Sequence, residues 1–310
     1  MKIHVIFTIS IIIILCLTGC QSVWRRPIPD SEIVYQGEEI RKSAAHMMGF
    51  VRPNGADNQV LEIDRAFEKP VWSSDGELLY GLYGGEGYYM GYPAYWDLQR
   101  GRIGFCNREI PYFTQIKGSG NPENPYEVIV QHVWIIIIMD LSNCKQVRTL
   151  VDFSNRPGDF SISGFSYSAS RQELLYGLIV NNKEYRLMHR DLKTGEEVML
   201  AEGINPSWSP DCNRVAFIGL DGLYVMEVEG VESEPRQLID RPFFDPWRGG
   251  SPWSYVSVPS WSPDGTWLVY HRCSTAKICT WEDAYIYKIR SDGGQEEIII
   301  KGGEYPSWHP

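Results

Sequence analysis

Short runs of apolar, β-branched and aromatic residues, many alternating with polar ones, follow one another along most of the chain. Clusters of Gly, Pro, Asp and Ser separate them. Tyr285-Ile-Tyr-Lys-Ile-Arg290 alternates with the period of two that marks a half-buried strand. Trp134-Ile-Ile-Ile-Ile-Met139 and Glu127-Val-Ile-Val130 read as more deeply buried strands, and Met47-Met-Gly-Phe-Val51 and Gln59-Val-Leu-Glu-Ile63 as two more. One apolar run differs in kind. Ile3 to Leu17, broken only by His4, Thr8 and Ser10, follows Met1-Lys2 and ends in Leu17-Thr-Gly-Cys20. A positive start, a short apolar stretch and small residues before a cut site describe a secretory signal, and the run is short for a membrane-spanning helix.

The strand pattern repeats. Pro206-Ser-Trp-Ser-Pro-Asp-Cys-Asn-Arg-Val-Ala-Phe217 matches Pro259-Ser-Trp-Ser-Pro-Asp-Gly-Thr-Trp-Leu-Val-Tyr270, and Pro70-Val-Trp-Ser-Ser-Asp-Gly-Glu-Leu-Leu-Tyr80 matches both. Phe165-Ser-Tyr-Ser-Ala-Ser-Arg-Gln-Glu-Leu-Leu-Tyr176 is a copy with one extra residue, and Tyr305-Pro-Ser-Trp-His-Pro310 is the start of another. In each copy a strand enters a tight turn. Pro fixes φ, Asp bonds local backbone and Gly accepts a positive φ. Two further strands complete a four-stranded antiparallel unit, which is a propeller blade. The copies recur at intervals of 41 to 53 residues from Tyr167 onward, and the gap from Trp72 to Tyr167 holds one hidden blade. The stretch before Trp72 is about one blade long. The expected fold is therefore all-β: a six-bladed β-propeller whose N- and C-terminal strands share one blade, so that no sheet edge is left open at the seam.

The Pro-Ser-Trp-Ser-Pro-Asp-Gly motif followed by a strand resembles the WD40-like (PD40) repeat of TolB-type six-bladed propellers, over roughly Ala45 to Pro310. The second domain of TolB proteins is not apparent, so the resemblance implies a fold and a habit of binding, not a TolB role. Leu17-Thr-Gly-Cys20 is similar to a bacterial lipobox, which implies cleavage before Cys20 and lipid attachment to it. Multiple acyl chains on one Cys hold a protein stably at a membrane. The expected division is a signal peptide at 1–19, a lipid-anchored linker at 20–44 and a propeller at 45–310. The expected location is the cell envelope, on the outer membrane or the outer leaflet of the plasma membrane. Gln21 in place of Asp leans toward the outer membrane if the host has two.

Composition narrows the partners. A net charge of -10 disfavours nucleic acid, whose phosphates need clustered Lys and Arg. Export also changes the reading of the seven cysteines. Once Cys16 and Cys20 are set aside, Cys106, Cys144, Cys212, Cys273 and Cys279 remain. Cys273 and Cys279 lie close enough in sequence to staple a loop, while the pairing of the other three stays open.

The turn residues Asp75, Asp211 and Asp264 invite a catalytic reading, but a turn needed in every blade is structural. Gly164-Phe-Ser-Tyr-Ser168 begins like a nucleophile elbow and lacks its second Gly. No Gly-rich phosphate loop appears, and no cofactor or metal is implied. The loops between second and third strands, and the crossovers between blades, share one face of a propeller. Three segments there are rich in aromatics and Arg: one holds Tyr83, Tyr88, Tyr89 and Tyr92, one holds Arg241, Phe243, Phe244, Trp247, Arg248, Trp253 and Tyr255, and one ends in Trp281. Such side chains suit a recognition surface. The reading is a non-enzymatic binding or scaffold lipoprotein that docks an envelope protein, peptide or glycan on this face. The alternative is a glycan-active hydrolase or lyase working in the channel, which a cluster of His132, His271 and a carboxylate would favour.

Overall fold

The computed structural model describes residues 33–37, 46–63, 67–84, 91–106, 113–155, 158–228, 234–240, 258–273 and 284–310. They form six four-stranded antiparallel sheets arranged as propeller blades. Blade one is β4 (Phe67–Trp72), β5 (Leu78–Tyr83), β6 (Tyr92–Asp97) and β7 (Arg102–Phe105). Blade two is β8 (Gln115–Gly118), β9 (Glu127–Gln131), β10 (Ile135–Asp140) and β11 (Lys145–Asp152). Blade three is β12 (Phe160–Ser168), β13 (Glu173–Val180), β14 (Glu184–Asp191) and β15 (Glu197–Glu202). Blade four is β16 (Ile204–Trp208), β17 (Arg214–Ile218), β18 (Gly222–Glu227) and β19 (Arg236–Asp240). Blade five is β20 (Ser260–Trp261), β21 (Trp267–Cys273), β22 (Ala284–Arg290) and β23 (Glu297–Lys301).

Blade six joins the two ends of the chain. β24 (Glu304–Trp308) pairs with β1 (Ile33–Gln36), which pairs with β2 (His46–Val51) and then β3 (Gln59–Ile63). The shared closing blade and the hidden second blade are both present. β1 lies inside the stretch 20–44 expected to be a linker, so the propeller reaches back to Ile33. Its residues Ile33, Val34 and Tyr35 are almost wholly buried, and burial of that kind stabilises by about 1.5–3 kcal/mol per large side chain.

The repeated motif has a repeated geometry. In the three Ser-x-Asp turns the Ser hydroxyl donates to the Asp carboxylate: Ser73 to Asp75 at 2.5 Å, Ser262 to Asp264 at 2.5 Å, and Ser209 to Asp211. The carboxylate accepts the amide two residues on, from Glu77, Asn213 and Thr266, at 2.9 to 3.2 Å. The hydroxyl oxygen accepts the amide five residues beyond the Ser, from Leu78, Arg214 and Trp267, at 2.9 Å each. These Asp residues are turn formers, as their repetition implies. Gly76 and Gly265 adopt φ of 69° and 67°, and Cys212 takes the same left-handed position at 57°. Blade two lacks the motif. Its turn is held by Asn121, which accepts the Glu123 amide, and by Asn124, which accepts the Tyr126 amide.

A second repeated contact ties blade to blade. The Ser before the motif aromatic accepts the amide of the next blade's Trp: Ser166 from Trp208 at 3.0 Å, Ser260 from Trp308 at 3.0 Å, and Ser307 from Trp72 at 3.4 Å. Ser166, the would-be nucleophile, is thereby a blade clasp. A disulfide between Cys106 and Cys144, with Cα atoms 5.2 Å apart, joins blades one and two, and Cys212 is a free thiol. The bridge expected between Cys273 and Cys279 lies outside the described residues.

Replacing Asp264 by Ala removes the acceptor of Ser262 and Thr266 together. Urea unfolding of D264A is expected to show a loss of about 1–2 kcal/mol with an unchanged m-value.

Candidate functional site

Four of the innermost strands bend at the same place. In β4, β12 and β16 the pairing register slips between Glu68 and Val71, Ile162 and Phe165, and Ile204 and Ser207. One residue at each slip is left-handed: Lys69 at φ 52°, Gly164 at 77° and Asn205 at 52°. Tyr305 holds the equivalent position in β24 at 48°. Such bulges re-aim side chains, and left-handed residues other than Gly carry a conformational cost of about 1–2 kcal/mol. Gly164 is required by space as well: a Cβ there would lie 2.4 Å from Asn205 Oδ1.

The bulges sit at the beginnings of the innermost strands, where the chain crosses from blade to blade. Each is close to one position near the end of a second strand. Gln36 Oε1 accepts the Lys69 amide at 3.1 Å, and His271 Nδ1 accepts the Tyr305 amide at 2.9 Å. Gln131, at the same position in blade two, donates to the Ile162 carbonyl at 2.9 Å. In all three cases a second-strand side chain fixes the inner strand of the following blade. The Tyr305 contact also sets the neutral His271 ring as the Nε2–H tautomer.

At the seam between blades six and one these residues form a cluster. Lys69 Nζ donates to the Thr114 carbonyl at 2.8 Å and lies 5.2 Å from the centre of the Tyr305 ring. That ring meets His271 edge-on at 5.0 Å. Burial, opposed by the nearby carboxylates of Glu68 and Glu304, lowers Lys69 to about 8. Burial raises the Glu304 carboxyl to about 7; Lys69 opposes that shift and Glu68 adds to it. Burial, with Lys69 adding to it, lowers His271 to about 3. The channel mouth therefore holds an acid and an amine that both titrate near neutrality, beside a histidine kept uncharged.

The aromatic residues expected to form the binding face fare differently. Tyr83 and Tyr92 face each other across β5 and β6. Tyr83 stacks on Phe105 with ring centres 4.4 Å apart, and Tyr92 is buried. Both are built into blade one. Tyr88, Tyr89, Arg241, Phe243, Phe244, Trp247, Arg248, Trp253, Tyr255 and Trp281 lie outside the described residues, as does Cys20. The strand ends that lead into those segments, at Tyr83, Asp240 and Cys273, are on the same side of the ring as the bulges.

His132 does not join His271. It follows Gln131, the true counterpart of His271, and its ring contacts Phe113 at 6.5 Å and Trp134 at 5.6 Å. Among the described residues no three His, Cys, Asp or Glu side chains come together as a metal-ligand group. A separate cavity of about 580 Å³ opens on the turn face, lined by Asp264, Trp267, Lys288, Trp308 and His309 among others. Lys69 and Glu304 were not singled out by the motif. Aligning the blades on their Trp would have marked them as polar residues three and four positions before it on the inner strands.

TolB from Acinetobacter baumannii superimposes with a TM-score of 0.61 at 17% identity, covering 98% of this chain and 71% of that one. A protein assigned as TolB from Agrobacterium tumefaciens gives 0.58 at 16% identity, covering 91% and 99%. The fold is a TolB-like six-bladed propeller. A chain of a nidogen/laminin complex gives 0.64 at 8% identity, covering 90% and 98%. At these identities the likeness is one of fold. No protein-family model and no curated protein matches the sequence.

Because Gln36 of blade six already accepts the corresponding amide, His271→Gln is expected to keep the bond to Tyr305 and cost less than about 1 kcal/mol. His271→Ala strands a buried amide and opens a cavity, at about 2–3 kcal/mol. The wild-type ring is neutral when folded. Its contribution is complete above its unfolded pKa of about 6.5 and is lost as pH falls toward 3. Denaturant titrations across that window should be flatter for H271Q than for the wild type.

Proposed function

We propose that the protein is an envelope-anchored, non-enzymatic binding or scaffold lipoprotein. The loop-rich face of its propeller docks an envelope protein, peptide or glycan. The observation that carries this reading is the placement of the chain's unusual segments: those holding Tyr88 and Tyr89, Arg241 to Tyr255, and Trp281 all leave from strand ends on the face that bears the bulged channel mouth. Aromatic and Arg side chains gathered at one end of a rigid scaffold suit recognition. A chain of similar fold belongs to a nidogen/laminin complex, which is in keeping with this use of the fold. The anchor reading rests on Leu17-Thr-Gly-Cys20, and it restricts the partner to what the envelope surface offers.

A glycan hydrolase or lyase is the second reading. Glu304, held near neutrality beside Lys69 and His271, is the observation in its favour, since perturbed titrating groups in a cleft suit acid–base work. The first is preferred because His132, which the enzyme reading called on, packs with Phe113 and Trp134 instead.

Two measurements test the proposal. Cys20→Ser should abolish incorporation of labelled palmitate and move the protein from the membrane to the soluble fraction; unchanged labelling would remove the anchor. In a pull-down from membranes, wild type and a Phe243, Phe244, Trp247 and Trp253 to Ala variant of equal stability are compared. A partner should be captured by the first, lost at least tenfold by the second, and bind purified wild-type protein directly. Equal capture by both would sink the aromatic face. Turnover of a glycan that Glu304→Gln abolishes would overturn the non-enzymatic reading.

A further inference from the structure

Independently of what docks on the loop-rich face, the innermost strands of the ring differ at one level in one blade. The position before the motif aromatic is held around the ring by Val71, Lys117, Ser166, Ser207, Ser260 and Ser307. Their registers place them at one level: each pairs with the second residue of a matched step on the adjacent strand, at Tyr80, Ile129, Leu175, Ala216, Val269 and Val34. Ser166, Ser260 and Ser307 accept an amide from the next blade and so retain a hydroxyl proton to give. Among the described residues none of these three hydroxyls donates to another group.

Lys117 breaks the pattern. Ile116 beside it is buried in the core between blades one and two, so Lys117 belongs to the opposite face of β8. Its side chain is longer than the space a Ser fills between two inner strands, and it is partly exposed. β8 is the innermost strand of its blade, so Lys117 stands at mid-height beside the axis of the ring. Unlike Lys69, it has no carboxylate or hydrogen-bond acceptor among the described residues, and burial alone lowers its amine to about 8. A partly desolvated cation without a counter-charge carries a cost, and Val or Ser at this level closes the other five blades without it.

We propose that the channel binds a small free oxyanion of the phosphate or carboxylate type at this level, held by the Lys117 ammonium and the hydroxyls of Ser166, Ser260 and Ser307. The charge supplies affinity, and the hydroxyl ring supplies directed donors in a confined, low-dielectric space.

Thermal unfolding of the full chain, at pH 7 and at ionic strength held constant with sodium chloride, tests it with inorganic phosphate and with acetate as probes. For the wild type a saturable rise in Tm of about 3 °C is expected with at least one of them. Lys117→Met should show no such rise and should melt at or above the wild type in chloride alone. Lys117→Arg should restore the response, and Lys117→Gln stands in if the Met variant does not fold. An anion response of equal size in K117M or K117Q would overturn the site, and so would a wild type that responds to neither probe beyond chloride. The pull-down outcome moves neither result, so failure here and failure of the docking reading are separable.

Discussion

Closure of the ring depends on the pairing of β24 with β1, a four-residue strand whose partner lies at the far end of the chain. Ile33 stands opposite Trp308 and Val34 opposite Ser307, and the buried Ile33, Val34 and Tyr35 fill the space between blades five, six and one. Without that pairing, β24 would expose one edge and β1 another, and unpaired edges favour association with other chains. With it, each blade meets a neighbour on both sides. The inter-blade contacts then repeat: a Ser hydroxyl takes the next blade's Trp amide, and a Gln or His near the end of a second strand holds the next inner strand. Each such bond contributes only about 1 kcal/mol net, so the ring relies on their repetition and on the hydrophobic layers between the sheets.

The same closure creates the chemistry of the mouth. Packing six innermost strands around an axis is accompanied by a one-residue bulge in several of them, and the bulge puts Lys69, Asn205 and Tyr305 in a left-handed conformation that only Gly164 adopts without strain. The cost is offset by Gln36 and His271, which take the freed amides of Lys69 and Tyr305. Charged side chains brought to that place lose water, and burial moves Glu304 and Lys69 toward neutrality from opposite directions. A strained inner strand and a titrating channel mouth are thus two consequences of one geometric demand. The middle of the channel answers it differently, with small serines that keep the strands close and a single lysine where blade two departs from the repeat.

What the sequence by itself determined was the repeat unit and its number. The Ser-Pro-Asp-Gly turn is local chemistry: a proline φ, a carboxylate within reach of its own backbone and a glycine at positive φ require no distant partner, so blades one, four and five could be read directly. Blade two could be found only by spacing, because its turn is built from Asn121 and Asn124 instead of the motif. β1 escaped because four residues with no turn signal look like linker until β24 is placed beside them. Tyr83 and Tyr92 were legible as aromatics flanking a loop, yet tertiary structure buries one and stacks the other on Phe105. Tertiary structure alone decided the pairing of Cys106 with Cys144, the meeting of Lys69, His271, Glu304 and Tyr305 at a seam, and the isolation of Lys117 among serines. Those depend on which residues a closed ring brings to the same height, and no local preference encodes a distance between strands that are far apart in the chain.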